Sequence, residues 1–144
     1  MKGVEGRVPL VFRVDHEARV IVAAGYGTVT DDEAFDYQRQ VFARKDAIGY
    51  DELVDMTHVT QIALPSAARV SDLAAVAAGM DAVRRSSKFA IVAPDDLAFG
   101  LGRMFQTRRE LEPSSTTQVG VFRTMDDALA FLGIDHPLAL PTSR

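Results

Sequence analysis

Phe89-Ala90-Ile91-Val92-Ala93, stopped at once by Pro94-Asp95-Asp96, is the stretch that decides the fold. Five apolar residues without polar alternation mark a parallel strand covered on both faces. Pro94 and Asp95 end the run, and Asp95 or Asp96 is placed to cap the helix that follows. A strand that feeds directly into a helix is one beat of an α/β rhythm, and the rest of the chain repeats it.

Downstream, Val119 and Val121 alternate with Gly120 and Phe122 in a further strand. Thr124-Met125-Asp126-Asp127 then leads into a short helix, Ala128–Leu132, ended by Gly133. Upstream, Leu53-Val54-Asp55-Met56 is a strand core followed by a polar connection, Thr57–Gln61. Pro65 suits the first turn of an alanine-rich helix from Ala67 to about Met80, because its missing N–H is not needed there. Asp81–Ser87 is a polar connection. Val20–Tyr26 is an earlier strand core, and Thr30-Asp31-Asp32-Glu33 reads as a capping box opening a helix with Ala34, Tyr37 and Val41 on its apolar stripe. Leu10, Phe12 and Val14 alternate with Val11 and Arg13, and a short polar break separates them from Val20, which is the spacing of a hairpin. His16, at the tip of that hairpin, reads as a solvated turn residue.

After the hairpin, the strand-then-helix unit thus occurs four times. The expected fold is α/β, with a mixed sheet of about five strands and four helices in which the hairpin supplies the one antiparallel strand. One domain is expected over residues 1–134, with 135–144 as a flexible C-terminal tail.

Composition narrows the function classes. The chain has 144 residues, 47% hydrophobic and 25% charged, with a formal net charge of −4 and no cysteine. The acidic balance argues against nucleic acid as a partner, and the basic pairs Arg84-Arg85 and Arg108-Arg109 read as solvated helix ends. Without cysteine there are no disulfides, thiolate nucleophiles or cysteine-ligated metals. The three histidines, at 16, 58 and 136, have no helical pairing suited to zinc, so no metal and no cofactor is expected. Met1–Pro9 does not resemble a signal peptide, and no apolar run approaches the roughly 20 residues needed to span a bilayer. A cytoplasmic location is the expectation.

Open α/β sheets bind ligands beyond the carboxyl ends of their strands. The loops there contain no phosphate-binding loop and no nucleophile elbow. Gly100-Leu101-Gly102 lies inside a helix and lacks the third glycine of a dinucleotide fingerprint. Asp55, Thr57, His58 and Ser66 are the best polar constellation. Asp55 and Thr57 bonded to loop amides, with His58 in solvent, is the favoured reading over a hydrolase triad, so no catalytic residue is assigned. The helix Leu97–Phe105 is apolar nearly all round and contains two glycines, each costing about 1 kcal/mol relative to alanine. Two readings stand for it. Glycine packs closely on the sheet, or Phe99, Gly100, Gly102 and Met104 admit a second chain or an apolar ligand.

The rhythm, together with Tyr50-Asp51-Glu52-Leu53-Val54-Asp55 and Ala90-Ile91-Val92-Ala93-Pro94-Asp95-Asp96-Leu97-Ala98-Phe99-Gly100, resembles the SpoIIAA-like family in its small bacterial members. That family is related to STAS domains and to the lipid-binding CRAL-TRIO fold. The resemblance covers about Leu10 to Ile134. It implies a non-enzymatic binding module, homodimeric or a carrier of a small non-polar molecule. It also implies an alternative, a partner-switching regulator bound by an anti-sigma-like protein and modified on Ser66, Thr57 or Thr60. Against that alternative, Ala63-Leu64 stand where anti-sigma antagonists carry their Asp-Ser pair, and Ser66 is two positions late.

Overall fold

The computed structural model describes residues 9–63, 67–79, 87–112 and 117–142. Leu10–Asp15 (β1) and Val20–Thr30 (β2) form the opening hairpin, antiparallel from Leu10 opposite Gly25 to Asp15 opposite Val20. Helix α1 (Asp31–Phe42) and a 3₁₀ turn (Lys45–Ala47) lead to β3 (Asp51–Ala63). Then follow α2 (Ala67–Gly79), β4 (Lys88–Val92), α3 (Asp96–Glu110), β5 (Gln118–Phe122) and α4 (Met125–Leu132). The sheet order is β1-β2-β3-β4-β5, and every pair after the first is parallel. The mixed five-stranded sheet and four helices are those the rhythm predicts.

Each parallel strand is added on the same side of the last, so right-handed crossovers send every connecting helix to the same face. Strand residues of one parity, such as Ile21, Val54, Ile91 and Val119, accordingly pack against α1, α2 and α3. Those of the other parity, Val20, Val22, Leu53, Ala90 and Val92, pack against α4, which has no later strand to reach and folds back beneath. The expected caps form. The Glu33 amide donates to Thr30 Oγ1 at 3.3 Å and the Thr30 amide to Glu33 Oε1 at 2.8 Å. At α3 the cap is Asp95, whose carboxylate takes the Ala98 amide at 2.8 Å.

One expectation needs correcting. β2 and β3 are much longer than their apolar cores, and the polar stretch Thr57–Gln61 is strand, not connection. The two strands stay paired in parallel as far as Thr30 opposite Ala63, with register shifts between Ala24 and Tyr26 and between Gly27 and Thr28. Gly27 sits at the second shift with φ of +69°, a conformation costly for residues with a Cβ. The ribbon projects past the other strands, so its alternate side chains meet water and its sequence loses the apolar signature of a strand.

The described part of the C-terminal stretch makes specific contacts with the rest of the chain. Arg13 Nε donates to the Ala139 carbonyl at 2.6 Å and the Tyr26 hydroxyl to that of Pro141 at 2.7 Å, while Leu138 and Leu140 pack on the α4 side of the core. No described helix is long and apolar enough to cross a membrane.

Candidate functional site

Small residues on the covering helices leave space between them and the sheet. Ala34 of α1 and Ala98 and Gly102 of α3 face Val54, Met56 and Ile91 of the sheet across a cavity of about 130 Å³. Val29 and Ile62 of the projecting ribbon and Val70 and Leu73 of α2 complete its walls. The chamber therefore lies toward the carboxyl ends of the parallel strands, the edge at which such sheets bind ligands. Among the described residues lining it, only Thr30, Tyr37 and Gln38 carry polar side chains.

At the amino-terminal side of β3 the same face holds charge. The Tyr37 hydroxyl donates to Glu52 Oε2 at 2.5 Å, and Glu52 is only 8% exposed. Gln38, Glu52 and Arg109 border a smaller void of about 20 Å³. The Arg109 guanidinium, also buried, lies 5.7 Å from the Phe89 ring centroid and 5.8 Å from that of Phe105. Gln38 borders both spaces, and its side-chain oxygen is buried without a hydrogen-bond partner.

Arg69 joins α1 to α2 beside the chamber. Its Nε lies 2.7 Å from Asp31 Oδ2, and its guanidinium sits 4.8 Å from the Phe35 ring centroid. The Arg69 hydrogen bond holds the Asp31 carboxyl below its ordinary value of 3.8, against an opposing effect of burial. A carboxylate lowered on folding stabilises the fold above its unfolded-chain pKa, and that support fades as pH falls through the folded value. Urea unfolding of the wild type is thus expected to weaken below pH 3.8 more steeply than that of Arg69→Ala. The difference will be small, because the pair lies at the surface and is only partly buried. Parallel pH profiles would contradict the link.

The residues singled out in the sequence divide between two places. Asp55 lies on the α4 side of the sheet, buried, its Oδ1 accepting the Thr57 amide at 3.0 Å and the Thr57 hydroxyl at 2.5 Å. His58 is exposed and stacks on Tyr26, ring centroids 5.5 Å apart and planes 3° from parallel. Among the described residues, Asp55 and His58 share no hydrogen bond, and Ser66 lies outside the described residues. Phe99 is half-buried beneath the Arg123 guanidinium at 4.1 Å, and Met104 packs on the helical side of the core, but neither lines the chamber.

The two glycines of α3 part company. A Cβ on Gly102 would come within 2.9 Å of Val121 Cγ1, so this glycine lets the helix approach the sheet. Gly100 is exposed, with nothing within 4 Å of such a Cβ. Gly100→Ala is therefore expected to raise stability by about 0.5–1 kcal/mol. Gly102→Ala meets a β-branched neighbour with little freedom to move and is expected to cost about 1 kcal/mol net. Urea unfolding measures both, and shifts of the same sign would refute the distinction.

Tyr37, Gln38, Glu52 and Arg109 were not candidates from sequence. One signal was available. Gln38 interrupts an inward stripe otherwise formed by Ala34, Tyr37 and Val41.

No protein-family model and no curated protein matches the chain. A solved structure does. It is an uncharacterised protein of the DUF3478 family with a SpoIIAA-like fold, from Shewanella loihica PV-4. The likeness has a TM-score of 0.52 at 16% sequence identity, covering 85% of this chain and 93% of that one. With its opening hairpin, parallel crossovers and helices on both faces, the chain has a SpoIIAA-like fold.

Proposed function

We propose that this protein is a non-enzymatic binding module that carries a small non-polar molecule in the chamber beneath α1, α2 and α3. The carrying observation is the cavity itself, about 130 Å³ and almost wholly apolar in its described lining. A space of roughly this volume accepts a single aromatic ring. The chamber is partly open to solvent, and a non-polar ligand that enters it removes those apolar walls from water. Fold alone assigns no activity, so the reading rests on the chamber. The polar groups that suggested a hydrolase, Asp55, Thr57 and His58, do not line it.

Titration with toluene, followed by backbone and methyl NMR, tests the proposal. Saturable shifts at Leu73, Ile91 and Ala98 are expected, with a rise in melting temperature from preferential binding to the folded state. No shift up to the solubility limit of toluene would overturn it. Native mass spectrometry of protein purified from a bacterial host would show any non-polar molecule retained. Self-association through the outer face of α3 is a second reading, favoured by Leu97, 61% exposed beside the open Gly100. Light scattering that gives a monomer mass removes it.

A further inference from the structure

We infer that the molecule held in this chamber is not a pure hydrocarbon but carries one hydroxyl group, an alcohol or phenol, hydrogen-bonded to the side-chain amide of Gln38. This rests on the carrier reading above and adds the chemical class of the ligand. Gln38 lies in the inward stripe of α1, one turn after Ala34 and beside Tyr37, and all three line the chamber. Its Oε1 is buried and has no partner. A buried polar atom left without a hydrogen bond is uncommon in folded proteins and costs far more than a satisfied one. The nearest hydroxyl in the stripe is already committed, because Tyr37 donates its proton to Glu52.

The chemistry of the site selects a hydroxyl over other heads. The oxygen and nitrogen of an amide exchange places by a half-turn, and a hydroxyl, which both donates and accepts, satisfies either orientation. A ligand carbonyl accepts only, and serves one orientation alone. The smaller void beside Gln38 is bordered by both Glu52 and Arg109, so it favours neither sign of charge. Any ionic head would leave water for a chamber with an otherwise apolar lining, a transfer that is costly without full pairing. The remaining walls, Leu73, Ile91 and Phe105 among them, ask for a hydrocarbon body.

Phenol and toluene, which differ by hydroxyl against methyl on the same ring, form the test pair. Their dissociation constants are measured by NMR titration for wild type, Gln38→Leu and Gln38→Met, the second variant keeping the unbranched shape of the side chain. The ratio of toluene to phenol dissociation constants is expected to fall about two- to tenfold in both variants, with toluene binding kept or tightened. An unchanged ratio in both folded variants overturns the inference and leaves the carrier reading standing, a bound water then being enough for Gln38. Toluene binding without phenol binding in the wild type overturns the inference alone, and failure of both compounds to bind overturns the carrier reading with it.

Discussion

Ile91→Ala is expected to lose about 2–5 kcal/mol of stability and to open the chamber to a two-ring hydrocarbon that the wild type excludes. Ile91 lies in β4, between Val54 of β3 and Val121 of β5, with its side chain on the face covered by α2 and α3. It is 9% exposed and forms part of the cavity floor. A void made by truncation usually closes in part as its neighbours relax, and the cost depends on how far they can. Here two backbone ladders hold β4 in place and the new space joins one that is already open. The loss should therefore fall in the upper half of that range. Naphthalene at saturating concentration is expected to return part of it, since a ligand that binds only the folded state raises stability by mass action. Val92→Ala is the control. Val92 is equally central but faces α4, so its truncation should destabilise without any response to naphthalene. Equal naphthalene stabilisation of the two variants, or a loss below about 1 kcal/mol for Ile91→Ala, would contradict the placement of the chamber.

The elements most legible in the sequence were those whose pattern follows from local burial. Phe89–Ala93 showed a strand covered on both faces because both neighbouring layers act on the same few residues. Thr30–Glu33 showed a helix start because the cap is made by residues three apart. The projecting ribbon was not legible, since Thr57, His58, Thr60 and Gln61 carry no apolar periodicity and owe their strand form to pairing with a distant segment. The chamber was hidden for a related reason. Its walls come from β1, β2, β3, β4, α1, α2 and α3, and each contributes residues that in sequence are ordinary core positions. A cavity is the volume those residues fail to fill together, which no single window of sequence records. The α3 residues named from sequence do not share the same surroundings. Gly102 touches the sheet and the chamber, whereas Gly100, Phe99 and Met104 do not line the space. Charge at 52 and 109 was equally silent, because a carboxylate in a strand and an arginine near a helix end are usually solvated.

Ala98→Leu should move binding and stability in opposite directions. Toluene affinity is expected to fall by about a hundredfold or more, equivalent to roughly 3 kcal/mol, while the folded state holds or gains about 0.5–2 kcal/mol. Ala98 is 3% exposed and lines the chamber from the first turn of α3. Its amide donates to the Asp95 cap at 2.8 Å, a main-chain bond that the substitution leaves in place. Leucine is a good helix former, and the three added carbons enter space that is already empty. Filling that space removes the volume a ring would occupy and supplies the contacts the lining lacked. Gly100→Leu on the same helix is the comparison, because it projects into open surroundings and should leave toluene binding unchanged. Ala34→Leu reaches the same chamber from α1 and guards against an unfavourable rotamer at Ala98. If both filled variants fold and still bind toluene as the wild type does, the ligand lies elsewhere. If binding is lost at Ala98 and Ala34 but kept at Gly100, the space beneath the three helices is where this fold holds its cargo.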